Sequence, residues 1–138
     1  MPEGDTVRQA ATRLRTALVG RTITQGEVRV PRFAAADLRG GDVTAVRSLG
    51  KHLLMDVGMP DGRQIVIHSH LKMDGRWDVH PAGTRWRRPA HRARIVLRFG
   101  PLDDLGAIEA VGFDLGILEV LEPAEADRVL ASLGPDLL

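Results

Sequence analysis

Pro2 becomes a secondary amine at the terminus once Met1 is removed. Such an amine can attack an electrophilic carbon and form a charged iminium without any lysine. Terminal amines titrate at about 7.7–8.0, so a useful neutral fraction exists near pH 7. Glu3 follows directly and sets a carboxyl able to move protons beside the amine. Gly4 lets the backbone turn tightly behind the pair. The plain alternative is an ordinary Met-Pro start, so the pair needs support elsewhere in the chain.

Of the 19 cationic residues only Lys51 and Lys72 are lysine, which singles both out. Lys51 opens an expected strand just after Gly50. A hydrated point charge there suits phosphate, and a flexible ammonium suits proton transfer at a sugar; otherwise it is a solvated edge lysine. His68 and His70 share one strand face, a spacing compatible with metal, but no cysteine or convincing carboxylate lies nearby. Hydrogen-bonded histidines beside a groove are the favoured reading. Between two expected strands, Met73 stands among Lys72, Asp74 and Arg76. It is either core filling or an apolar wedge for a base stack. Residues 79–102 contain no acid but hold Arg85, Arg87, Arg88, Arg92, Arg94 and Arg98. That stretch is a solvated face or a track for phosphates.

The elements that must position these groups are legible from period and punctuation. Residues 6–19 repeat Val7, Ala11, Leu14 and Leu18 at helical spacing, with Asp5 as a cap and Gly20 as the stop. A helix start so close to Pro2 attracts anions. Strands are expected around Ile23, Val28 and Val30, broken at Gly26, then over residues 43–48, 51–57, 64–70, 75–80, 92–99, 107–111 and 116–121. In residues 92–99, Ala93, Ile95, Leu97 and Phe99 should point inward and Arg92, Arg94, Val96 and Arg98 outward. Pro123 opens a short helix to about residue 133, ended by Gly134-Pro135. About eight short strands with turns between them read as a sandwich or barrel. The expected class is therefore mainly β with flanking helices (α+β).

A length of 138 residues suits one domain, and a hydrophobic content of 43% is enough for a core. The absence of cysteine excludes disulfides and thiolate metal sites. No apolar run approaches a membrane span and no signal peptide is evident, so a cytoplasmic, nucleoid-associated protein is expected. The net charge of +1 says nothing about partners.

Four segments together resemble the formamidopyrimidine-DNA glycosylase and endonuclease VIII family. They are Pro2-Glu3-Gly4, residues 48–54 (SLGKHLL), residues 69–77 (SHLKMDGRW) and residues 133–138 (LGPDLL), in matching order and spacing over the whole chain. The start is closer to endonuclease VIII, which implies oxidised pyrimidines as substrates. The resemblance implies a two-sheet antiparallel β-sandwich with an N-terminal helix and a short C-terminal helix. It implies Pro2 as the Schiff-base nucleophile at the sugar C1′, Glu3 as proton donor, and Lys51 as proton donor for β-elimination and phosphate contact. It implies Met73 as the wedge in the gap left by a flipped nucleotide, with Lys72, Arg76, His91 and Arg92 contacting damaged DNA. A monomer is expected.

The chain departs from the family pattern in places. Thr6, with Asp5 before it, stands where the family often carries a second acid. Residues 111–115 show Phe113 without the arginine that formamidopyrimidine-type members use as a further wedge. The family continues into a helix–two-turn–helix module and usually a zinc finger. Residues 1–138 are expected to be a single N-terminal catalytic domain without them, with no metal or cofactor of its own and little activity alone. Two alternatives stand beside this reading: a non-catalytic DNA-binding module of the same fold, and an N-terminal-proline tautomerase. In a tautomerase the proline opens a strand, whereas here an amphipathic helix follows.

Overall fold

The computed structural model describes residues 4–72 and 74–132. The first element, α1, spans Gly4–Leu18, so Asp5 falls inside its first turn rather than before it. Val7, Ala10, Ala11, Leu14 and Leu18 recur on one face and are all buried. Gly20, at φ +92°, takes the left-handed conformation that stops the helix. Arg21 then locks the exit. It is only 4% exposed, and it donates to the carbonyls of Ala17, Gly100 and Gly106, each at 3.0 Å.

Eight strands follow: β1 Ile23–Val28, β2 Asp42–Leu49, β3 His52–Gly58, β4 Gln64–His70, β5 Arg76–Pro81, β6 Ala93–Phe99, β7 Ile108–Phe113 and β8 Ile117–Leu121. A short helix, α2 Pro123–Ser132, closes the described chain. The strands form two four-stranded antiparallel sheets. One has the order β1-β6-β7-β5 and the other β2-β3-β4-β8. Their inner faces meet around Ile23, Leu53, Met55, Ile67, Trp77, Ile95, Leu97 and Phe99, with α1 adding its apolar stripe. Gly26 does not break β1, because a bulge between Ile23 and Gln25 absorbs the irregularity and pairing to β6 continues.

Neither outer face is left wholly to solvent. On the β2-β3-β4-β8 sheet, α2 lays Ala126 over Leu54, Val66 and Leu121. This second cover explains why β4 is buried from Ile65 to Ser69 instead of alternating. On the other sheet, Trp86 covers a cluster of Ala93, Val96, Val111 and Phe113. One orientation expected from alternation is overturned there, and one outward residue is covered. Val96 is only 6% exposed, because the segment before β6 folds back over it. Ala93 joins Val96 on the outer face, because the register shifts between Ala93 and Ile95 and reverses parity.

Candidate functional site

One end of the sandwich gathers the chemistry-bearing side chains. Arg15 donates to the Val46 carbonyl from Nε and Nη2, at 3.1 and 2.8 Å, and the Gly20 amide donates to the Val43 carbonyl. Helix α1 therefore runs opposite to β2, and its first turn lies toward the Leu49 end of that strand. Leu49 pairs with His52, which leaves Gly50 and Lys51 as a two-residue hairpin turn. Gly50, at φ +55°, meets the positive φ such a turn demands. Lys51 thus sits in the turn, one residue before the strand it was expected to open.

His52 in turn pairs with His70, so the end of β4 and the loop after it come to the same edge. That loop is tightly held. The Gly75 amide donates to the Leu71 carbonyl at 2.8 Å, and a Cβ on Gly75 would lie 2.4 Å from that oxygen. The backbone of Lys72 is at φ +50°, an uncommon conformation for a side-chain-bearing residue, and its amide donates to Nδ1 of His70 at 3.0 Å. The Lys72 side chain crosses Gly116, where a Cβ would come within 2.3 Å of it. The strands of the other sheet end here too, with Arg76 and Ala93 both opposite Phe113.

Lys51, Lys72, Arg76, His91 and Arg92 accordingly lie toward one end of the sandwich. Pro2, Glu3 and Met73 lie outside the described residues. Burial, and then Lys72, His68 and Lys51, hold the His70 imidazole below its ordinary value. His91 is exposed. Arg76 is exposed and its Nε bonds Asp78 at 2.7 Å.

The arginine-rich stretch is less available than its lack of acids suggested, because its partners stand on another strand and loop. Arg92 donates from Nε to Asp114 at 2.9 Å and closes the pair through Nη2, while Arg88 approaches the same carboxylate at 3.5 Å. The Arg92 hydrogen bond holds the Asp114 carboxyl below its usual range. Arg98 bonds Glu109 at 2.8 Å, and Glu109 also accepts from His80 and Trp86. Glu109 is 2% exposed, so these bonds hold a carboxylate that burial alone would push up. Phe113 is fully buried edge-on to Trp86, which removes it as a wedge.

The histidines have a carboxylate after all. Glu119 on β8 stands directly opposite His68, and its Oε1 lies 2.9 Å from His68 Nδ1. The other ring nitrogen of His68 lies 2.8 Å from His52 Nδ1. Both nitrogens of His68 are thereby engaged, and among the described residues no group of three side chains is set to hold a metal ion. The sequence signal for this chain was parity. His52, His68, His70 and Glu119 all occupy outward positions of neighbouring strands, and only the register shows that they meet.

Comparison with known proteins agrees with this geometry. The family model described as formamidopyrimidine-DNA glycosylase N-terminal domain matches residues 1–109. An endonuclease 8 2 of Mycobacterium tuberculosis is 51% identical over 138 residues, covering 100% of this chain and 50% of its own. The DNA-(apurinic or apyrimidinic site) lyase Nei2 of Mycolicibacterium smegmatis is 46% identical, covering 100% and 49%. The chain spans about half the length of these curated relatives. In three dimensions it matches a viral DNA glycosylase with a TM-score of 0.72 at 18% identity, over 88% of this chain and 41% of that one. It matches MutM, solved in complex with carbocyclic 8-oxo-G containing DNA, with a TM-score of 0.69 at 17% identity, over 95% and 49%. These two likenesses concern the fold, a two-sheet sandwich with a helix at each end of the sequence. The chain belongs to the formamidopyrimidine-DNA glycosylase N-terminal domain family.

Proposed function

We propose that the protein is a base-excision-repair DNA glycosylase with AP lyase activity, acting on oxidised bases and on pyrimidines first. The observation that carries this is the convergence of the α1 start, Lys51, His70 and Lys72 at one end of the sandwich, directly after Pro2 and Glu3 in the chain.

A base buried in a stack cannot be reached, so the nucleotide must be turned out, at a cost of a few kcal/mol. Met73, the residue after Lys72 in the chain, fills the gap it leaves. The Pro2 nitrogen attacks C1′ while Glu3 supplies a proton to the departing base or the sugar ring oxygen. The iminium that forms makes the C2′ proton acidic, and its loss expels the 3′ phosphate. Lys51 neutralises the phosphate and hands on the proton at this step. Hydrolysis of the remaining iminium frees Pro2. No step in these residues calls for a cofactor.

The test is borohydride trapping on duplex DNA with an abasic site, using the intact protein with its terminus free or acetylated. The free protein should trap DNA and the acetylated one should not. Binding without trapping in both would support the non-catalytic DNA-binding module instead.

A further inference from the structure

The outer face of the β2-β3-β4-β8 sheet is divided. One half is apolar, with Leu54, Val66 and Leu121 under α2. The other half carries a polar chain that runs diagonally across three strands. Glu119 on β8 meets His68 on β4 at 2.9 Å, and His68 meets His52 on β3 at 2.8 Å. The two rings stack with centroids 5.0 Å apart, and His52 meets His70 edge-on with centroids 4.5 Å apart. His68 is 1% exposed and His52 is 6% exposed.

Hydrogen-bond chemistry fixes the protons along this chain. A carboxylate oxygen only accepts, so His68 carries hydrogen on Nδ1. Its other nitrogen, Nε2, lies 2.8 Å from His52 Nδ1, and a hydrogen on that His52 nitrogen completes the bond. Burial, and then the neighbouring His68 and His70, push His52 down to about 4, which keeps it neutral near pH 7. The Lys72 amide donates to His70 Nδ1, so His70 carries its hydrogen on Nε2. One carboxylate therefore orders the rings of His68 and His52, and His52 seats His70.

We infer that Glu119, His68 and His52 form a positioning relay for the strand-cleavage step, holding His70 and the Lys51 turn in working geometry. The inference rests on the glycosylase/lyase reading above. Two features argue for it. Apolar side chains continuing the Leu54, Val66 and Leu121 patch would serve packing alone without burying two imidazoles. The polar chain also ends at the candidate site, since His52 follows Lys51 in sequence and pairs with His70.

The experiment uses the intact protein and DNA with a preformed abasic site. Glu119→Gln keeps an acceptor but removes the charge that selects the tautomer. A second variant, His68→Leu with Glu119→Leu, removes both partners of that link together and extends the apolar patch, which leaves only His52 Nδ1 to find a new partner. Each variant should lower kcat for strand cleavage about tenfold, as loss of a carboxylate behind a functional histidine does elsewhere, with KM nearly unchanged. Two-bond 1H–15N spectra should show Nδ1–H on His68 and His52 and Nε2–H on His70 in the wild type, with mixed tautomers at His52 in the variants. Unchanged kcat, or a loss that vanishes once corrected for the folded fraction, would overturn the relay and leave the lyase reading standing. Failure of the wild type itself to cleave the abasic site would bring down that reading and the relay with it.

Discussion

Acidification from pH 7 to 4.5 should weaken the fold at His52. The unfolded chain takes up a proton at this imidazole near 6.5, whereas the folded protein resists until about 4. Between those values the unfolded state binds more protons, so stability falls as pH falls. At 1.36 kcal/mol per pH unit the ceiling over this span is about 3 kcal/mol. His70, also held low by burial and then by Lys72, adds with the same sign. Glu109 and Asp114 are held below ordinary values of 4.5 and 3.8, so what they contribute is lost only at lower pH. His52→Gln keeps a donor for His68 and does not titrate. Urea unfolding at pH 7, 6, 5 and 4.5 should show the wild type losing about 2 kcal/mol more than this variant over the range. Parallel losses in the two proteins would refute the reasoning.

Three other outcomes follow from the same geometry. Glu3→Gln should cost base excision about 10²–10⁴-fold while sparing cleavage at a preformed abasic site, since that substrate has no base to protonate; comparing the two substrates in one gel assay decides it. Lys72→Ala should flatten the log–log salt dependence of DNA binding by about one unit, whereas Arg98→Ala should leave the slope unchanged because Arg98 is committed to Glu109. Arg21→Met should cost about 3 kcal/mol in urea unfolding by orphaning the carbonyls of Ala17, Gly100 and Gly106, with the cleavage rate per folded molecule preserved.

The strands were legible because most bury one face, and alternation with turn residues then marks each one. Legibility ended where a second cover was added. Val96 looked outward by parity, yet Trp86 folds over it, and the shifted register at Ala93 reverses the alternation. The arginine-rich stretch misled for a related reason. Its acids are absent locally but arrive from other strands and loops, with Asp114 meeting Arg92 and Glu109 meeting Arg98. Lys51 and the Lys72–Arg76 loop could be singled out because two lysines stand out among 19 cationic residues, and antiparallel pairing brings both to one end. The Glu119–His68–His52 chain could not be read in advance, since 51 residues separate Glu119 from His68 and only strand register joins them.

Pro2 is the proposed nucleophile. Its most direct measurement is the mass of the peptide carrying sugar after borohydride reduction on abasic DNA and digestion with trypsin. The adduct is expected on residues 2–8, at Pro2, in a chain that has lost Met1. A retained Met1 would make the Pro2 nitrogen a tertiary amide with its lone pair drawn into the carbonyl. An adduct on a peptide containing Lys51 or Lys72, or efficient trapping by a chain that still carries Met1, would contradict it.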